Sequence, residues 1–410
     1  MKVRVCLITR EFPPVTSYTG GIGRQFRWLA AGLRALGHEV VVLIVGLPRQ
    51  VQREMDGVSV RGVGHLLTAG PESLAGLGSS LAVRRAVPRE GPFDVIYAPE
   101  WQGDAALLAR SGRSTPLVTN LQTPGAIVRA ITPDARRLGR LRPHRVIQAR
   151  RERTQAEGSQ AIVAASRAVL DRTREIWDIG DLPTTVLPNC VDVEMVRWAA
   201  RGEPPSDFPR DDPVVAFCGR LEGRKGVQVL IAAMQVVWQS HPEARLVLLG
   251  PDGAWRGGSM ASHVREEAGP FRERIHHLGS QPPELLYPSF AHADVVALPS
   301  LWENFPLSAL EAMAIGCPLV ATGGSGYDDF VRSGSNGLLV RPGDEVELAE
   351  AISGLLQDPA RRKELGTEAA RSIEQYDIGP VCKRHADYLE VVTTAGVRRD
   401  GLAEAGSGPT

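Results

Sequence analysis

Long apolar runs are missing from this sequence: none approaches the roughly 20 consecutive residues that a membrane span requires, so nothing in it reads as crossing a bilayer. The amino terminus does not read as a secretory leader either: Met1 to Leu7 reads as a strand entering the polar stretch Thr9, Arg10 and Glu11 rather than a charged segment before a long apolar core. A cytoplasmic protein is the expectation. The five cysteines (Cys6, Cys190, Cys218, Cys317, Cys382) are scattered, with no CxxC pair, which excludes the patterns of a disulfide framework and a zinc site. They read as buried structural thiols. Aromatic residues are only 5% of the chain and do not interleave with basic ones, which excludes single-stranded nucleic-acid recognition. Basic and acidic residues balance at 47 each, so no global charge draws the chain to nucleic acid or an anionic membrane. No D-x-D pair stands at a strand end, and His276-His277 has no carboxylates at ligand spacing, so neither a metal nor any other cofactor is expected. Nor does a G-x-G-x-x-G follow the first strand, as a dinucleotide oxidoreductase would need. Lysine is scarce as well: Lys2, Lys225, Lys363 and Lys383 are the only four, which makes Lys225 conspicuous.

What is present is a repeating α/β pattern. At 410 residues the chain exceeds what one core organises, and two domains of roughly 200 residues are the natural division. Short β-branched runs, each followed by apolar residues at helical spacing, read as parallel sheets covered by helices. Strands are expected at Val3 to Thr9, Glu39 to Val45, Val58 to Gly64, Asp94 to Ala98, Pro116 to Leu121, Ala161 to Ala165 and Thr184 to Leu187. The segment Arg201 to Pro213, with four prolines among acidic residues, reads as a linker. A second series follows at Val214 to Gly219, Arg245 to Gly250, Arg274 to Gly279, Asp294 to Pro299, Pro318 to Ala321 and Gly337 to Arg341. Two open α/β sheets in tandem account for both.

In such sheets ligands bind beyond the carboxyl ends of the strands, where helix starts present backbone N–H groups to anions. One candidate loop is Gly219-Arg220-Leu221-Glu222-Gly223-Arg224-Lys225-Gly226. Arg220 by bidentate hydrogen bonds and Lys225 as a point charge can neutralise a diphosphate without metal; the same residues also read as solvated loop charges. A second segment runs Pro299-Ser300-Leu301-Trp302-Glu303-Asn304-Phe305-Pro306-Leu307-Ser308 into a helix containing Glu311. Pro306 suits the first helical position and leaves the Leu307 and Ser308 amides for a phosphate. Glu303 and Glu311 are acceptors suited to vicinal hydroxyls of a sugar and a ribose, against the plainer reading of a capping or surface Glu.

The spacing of Glu303 and Glu311 resembles the E-x7-E motif of glycosyltransferase family 4. The Gly219–Gly226 loop is similar to that family's phosphate-binding pattern, and Pro13-Pro14 with Gly20-Gly21-Ile22 resembles its glycine-rich amino-terminal loop. Leu187-Pro188-Asn189-Cys190-Val191-Asp192 and Asn336-Gly337-Leu338-Leu339-Val340 add to the likeness, which extends to about Leu389. The resemblance implies the GT-B fold, two Rossmann-like doubly wound parallel-sheet domains facing across a cleft, and retaining, metal-independent transfer from a UDP- or GDP-sugar. It divides the chain into an acceptor-side domain at 1–205, a nucleotide-sugar domain at 206–375 and a helix at 376–393 packing back toward the first domain; the tail at 394–410, rich in Gly, Ala and Arg and without periodicity, reads as disordered. Arg220 and Lys225 would hold the diphosphate and stabilise its departure. Glu303 with Asn304 and Phe305 would hold the transferred sugar and Glu311 the ribose. The Leu307 and Ser308 amides would complete the phosphate site, and the Gly20-Gly21 backbone would approach phosphate or acceptor.

Two departures from the family pattern bear on substrates. Glu303-Asn304-Phe305-Pro306 replaces E-G-F-G, and Asn120-Leu121-Gln122-Thr123-Pro124 puts Gln122 where many members carry a His. Gln cannot act as a base, but in a same-face transfer the leaving phosphate takes the acceptor's proton. Asn120, Gln122 and Arg129 are the acceptor-side candidates. The acceptor class stays open between a small natural-product aglycone and a glycan or lipid-linked molecule, with a nucleotide-sugar epimerase as the alternative reaction. The arginines Arg136, Arg137, Arg140, Arg142, Arg145, Arg150 and Arg151 suit either an anionic acceptor with peripheral membrane contact or a solvated helix face. A homodimer is compatible with all of this.

Overall fold

Runs of Val, Ile, Leu and Ala buried on both faces build two mainly parallel sheets in the computed structural model, which describes residues 1–17, 20–64, 72–111, 114–131 and 143–394. The expected tail, apart from Thr394, and Arg136, Arg137, Arg140 and Arg142 lie outside the described residues. The chain divides into two units. One comprises the chain up to Cys190 together with the helix from Ile378; the other is chiefly Val191–Asp377. The division thus precedes the proline-rich segment expected as the linker. Its cause is the helix Val193–Ala199, whose Arg197 guanidinium donates to the carbonyls of Ala314 and Ala370, both at 2.8 Å, within the second unit.

The amino-terminal sheet contains β1 (Arg4–Thr9), β2 (Glu39–Val45), β3 (Gln52–Met55), β4 (Val58–Gly64), β5 (Val95–Pro99), β6 (Leu117–Leu121), β7 (Ala161–Ala164) and β8 (Thr184–Val186). Their order is β3-β4-β2-β1-β5-β6-β7-β8, parallel throughout except at β3, which pairs antiparallel with β4. The hairpin turns at Asp56-Gly57, both with positive φ, the residue pair that suits a two-residue hairpin turn. The carboxyl-terminal unit contains β9 (Val214–Cys218), β10 (Arg245–Leu249), the small hairpin β11 (Ala254–Trp255) and β12 (Gly258–Ser259), β13 (Ile275–Gly279), β14 (Val295–Leu298), β15 (Leu319–Thr322) and β16 (Leu338–Val340). Its six-stranded sheet is ordered β13-β10-β9-β14-β15-β16 and is wholly parallel. Setting the hairpin aside, this is the doubly wound order of nucleotide-binding folds. Among the thiols, Cys6, Cys190, Cys317 and Cys382 are buried as expected, whereas Cys218, at the tip of β9, is only half-buried.

The helix Ile378–Thr394 packs on the helix Gly21–Ala35, and its Val381, Cys382, Ala386, Leu389 and Val392 join Phe26, Leu29 and Leu33 in one core. The contact is close because Gly32 has no side chain: a Cβ there would collide with Cys382. Gly32→Leu is therefore expected to destabilise the protein by about 1–3 kcal/mol through overpacking. A thermal midpoint equal to wild type would show that this helix pair is not closely packed.

Candidate active site

The carboxyl-terminal sheet changes direction between β9 and β14, and a ligand crevice is expected outside the carboxyl ends of those two strands. β9 is followed by Gly219-Arg220-Leu221-Glu222, a single 3-10 turn Gly223–Lys225 and the helix Val227–Ser240. β14 leads through Pro299 to Phe305 into the helix Leu307–Ile315. The two exits touch. Gly226 has φ 73°, a left-handed conformation that favours glycine, and a Cβ on it would overlap the Pro299 carbonyl. Beside this contact Leu301 N donates to Arg224 O at 2.8 Å.

That contact delivers two cations to one carboxylate. Glu303 is 7% exposed, and its Oε1 accepts from Lys225 Nζ at 2.5 Å and from Ser300 Oγ at 2.8 Å. Arg224 Nη1 stands 3.5 Å from the same oxygen, while Arg224 Nη2 donates to Glu222 at 2.9 Å. Burial opposes ionisation of Glu303, but Lys225 and Arg224, with the hydrogen bonds from Lys225 and Ser300, outweigh it and hold the carboxyl below its ordinary value. Tyr327 closes the group with a hydrogen bond to Ser300; burial, and then the Glu303 charge, drives its hydroxyl well up and keeps it neutral. The Glu303 carbonyl is fixed as well, accepting from Gly326 N at 2.9 Å where a Cβ on Gly326 would overlap the Asn304 carbonyl.

The other expected donor-side residues divide. Arg220 is exposed on the same loop. Pro306 is the N-cap, with ψ 123°, so the helix starts one residue later than expected, at Leu307, without a capping side chain. An extended proline precedes the helix rather than opening it, and Leu307 and Ser308 still occupy its first turn. The Phe305 ring is buried against Phe330 and Tyr376, with centroids at 4.8 and 5.6 Å, so what it offers a ligand is backbone. Glu311 is fully buried in the helix and accepts from the Tyr287 hydroxyl at 3.2 Å. Arg224, Ser300, Tyr287 and Tyr327 were not singled out from sequence. Only Arg224 had a signal there, as the neighbour of Lys225 in the glycine-bounded loop.

Gly20 and Gly21 lie in the amino-terminal unit, where Gly20 caps the helix Gly21–Ala35 and its N donates to Glu11 Oε2 at 2.6 Å. In that unit Gln122 donates to Asn120 Oδ1, and Asn120 Nδ2 to the Tyr97 hydroxyl at 2.6 Å. The side chains of Asn120 and Gln122 thus form one buried chain at the carboxyl end of β6. Arg129, on the helix Gly125–Ile131, acts electrostatically on the buried Glu152. The arginines of the helix Pro143–Glu157 include Arg151, which is turned inward to Asp104, Ser80 and the Gly103 carbonyl rather than solvated.

Two family models cover most of the chain: "Glycosyl transferase 4-like domain" matches residues 20–190 and "Glycosyl transferases group 1" matches residues 202–372. The chain belongs to the family-4-like glycosyltransferases. Glycogen synthase of Mycobacterium tuberculosis is 29% identical over 395 residues, covering 87% of each chain. D-inositol 3-phosphate glycosyltransferase of Nocardia farcinica is 28% identical over 391 residues, covering 87% of this glycosyltransferase and 81% of its own length. Among solved structures, sucrose-phosphate synthase of Thermosynechococcus elongatus superposes with a TM-score of 0.78 at 22% identity, over 96% of this chain and 100% of that one. HepE of Anabaena in complex with UDP and glucose gives 0.71 at 20% identity, over 94% and 99%. The fold is GT-B.

A carboxyl held below its ordinary value stabilises the fold above that value and ceases to do so as pH falls through its folded pKa. Relative to Glu303→Gln, the wild-type glycosyltransferase should therefore lose thermal stability more steeply once pH drops below the ordinary Glu value of 4.5. Parallel melting curves for the two proteins across the acid range would contradict the ion-pair assignment.

Proposed function

We propose that this glycosyltransferase moves a sugar from a nucleoside-diphosphate sugar to an acceptor hydroxyl with retention of configuration and without a metal ion. The observation that carries the reading is the convergence of Lys225 and Arg224 on the buried Glu303 at the direction change of the carboxyl-terminal sheet. A diphosphate competes with Glu303 for those cations. As it takes them, Glu303 is left to accept hydroxyl groups of the sugar, which couples donor entry to orientation of the transferred unit. Arg220 adds a cation at the loop surface, the Leu307 and Ser308 amides face developing negative charge, and Glu311 accepts from the ribose.

In the transfer the bond between the anomeric carbon and the diphosphate oxygen breaks while the acceptor oxygen bonds the same face of that carbon. The acceptor's proton passes to the departing phosphate oxygen, so Gln122 need not be a base. Catalysis is then electrostatic stabilisation of the leaving group plus orientation. The relatives named as a glycogen synthase and a D-inositol 3-phosphate glycosyltransferase support an acceptor rich in hydroxyls, and HepE, solved with UDP, supports a uridine donor.

Release of UDP from UDP-glucose, with maltotriose and inositol phosphate as acceptor probes, tests the reading directly. Lys225→Ala is expected to lower kcat/KM by at least about thirtyfold, the scale of losing one charged stabiliser of a leaving group. Full turnover in that variant, or no nucleotide-sugar turnover in the wild type with uridine, guanosine or adenosine donors, would remove the proposal.

A further inference from the structure

Two carboxylates in the amino-terminal unit are buried without exposure, and the reaction just described uses neither. Glu100 stands at the end of β5 and Glu152 on the helix Pro143–Glu157. Glu100 accepts from Gln122 N at 2.7 Å through Oε2 and from Thr123 N at 2.8 Å through Oε1. Glu152 accepts from Gly125 N at 2.9 Å through Oε2, and from Gln102 N at 3.2 Å and Gln148 Nε2 at 2.7 Å through Oε1. Of these five hydrogen bonds four come from backbone amides, and all four amides belong to the connections after β5 and β6. Proline at 124 has no N–H, so every amide from Gln122 to Gly125 is taken by a carboxylate.

Burying a carboxylate is costly, and replacing buried charge with apolar packing commonly stabilises a protein. Burial pushes Glu100 up to about 8, with the neighbouring Glu152 charge adding to it against the opposing amide bonds, and burial pushes Glu152 up as well. The surroundings are built to hold the pair. Gln102 has φ 67°, and a Cβ on Gly103 would meet the Arg151 backbone at 2.6 Å, so the turn Trp101–Gly103 is forced onto the helix that carries Glu152. Gln155, one turn further along, accepts from Ala105 N at 2.9 Å and donates to Pro99 O at 2.8 Å.

We propose that Glu100 and Glu152 are positioning residues for transfer: together they fix the backbone of Gln122 to Gly125, and through it the Tyr97–Asn120–Gln122 side-chain chain, in the geometry that receives the acceptor. The inference rests on the reading above in which this loop serves the acceptor. It assigns acceptor orientation to carboxylates that never touch substrate, while donor binding stays with the other unit.

The test uses the full-length protein with Glu100→Gln and Glu152→Gln, each nearly isosteric and each removing one amide-accepting oxygen. Amide hydrogen exchange at Gln122, Thr123 and Gly125 should quicken by about tenfold or more, the scale of one lost buried hydrogen bond, while β1 and β2 stay protected. With UDP-glucose as donor, hydrolysis to water and the KM for donor should hold near wild type, while transfer to maltotriose or inositol phosphate falls through a raised acceptor KM. Unchanged exchange in both variants overturns the clamp. Equal loss of hydrolysis and transfer shows general damage and overturns the positioning role. A wild type that neither hydrolyses nor transfers any nucleotide sugar rejects the underlying function instead, so the two failures are told apart.

Discussion

Glu303 is ionised because Lys225 and Arg224 reach it, and they reach it because the exits of β9 and β14 touch. The touching depends on Gly226, where any side chain would strike the Pro299 carbonyl. Charge, backbone and steric requirement are therefore one arrangement: widen the gap between the two exits and a buried carboxylate is left without its cations. Losing one partner of a buried pair is far costlier than never having the pair. The polar group consequently specifies the loop geometry as much as the loop positions the group.

The amino-terminal unit solves a related problem with the opposite chemistry. Its buried Glu100 and Glu152 are solvated chiefly by backbone amides rather than by lysine or arginine side chains, and they order loops rather than present charge. Arg10 and Arg151 share Asp104 nearby, with Arg10 bidentate at 2.6 and 2.7 Å, whereas Arg145, Arg150 and Arg153 are exposed. Among the described arginines of this stretch, Arg145 and Arg150 keep the solvated face read along the chain, and Arg151 lines a polar interior.

How much of this could be read from the chain follows from where each signal resides. A strand buried on both faces is an unbroken apolar run, as in Glu39–Val45, and one buried mainly on one face alternates, as Val58 and Val60 do in Val58–Gly64; both patterns place their strands to the residue. The edge strand Gln52–Met55 was missed because Gln, Arg and Glu have no buried face to reveal them; Asp56-Gly57 was the available sign. Motif spacing picked out Lys225, Glu303 and Glu311, since each sits in a loop or first turns whose form is locally determined. Ser300 sits inside the quoted segment, three residues before Glu303, but its hydroxyl carries no motif signal of its own, and Tyr327 depends on which loops meet at the sheet edge, which nothing within a few residues of it reveals. Glu100 and Glu152 are the extreme case: no local pattern marks either as buried, and their backbone-amide partners lie between 22 residues away, as with Glu100 and Gln122, and 50, as with Gln102 and Glu152.

The return of Ile378–Thr394 to the first unit bears on synthesis. A ribosome releases the amino-terminal half long before that helix exists. Until it does, the stripe of Phe26, Leu29 and Leu33 on the helix Gly21–Ala35 lacks part of its cover. That core can therefore be completed only after the helix has been made, while the Val191–Asp377 segment holds its own sheet without it. The first-made unit thus draws part of its cover from the last helix described.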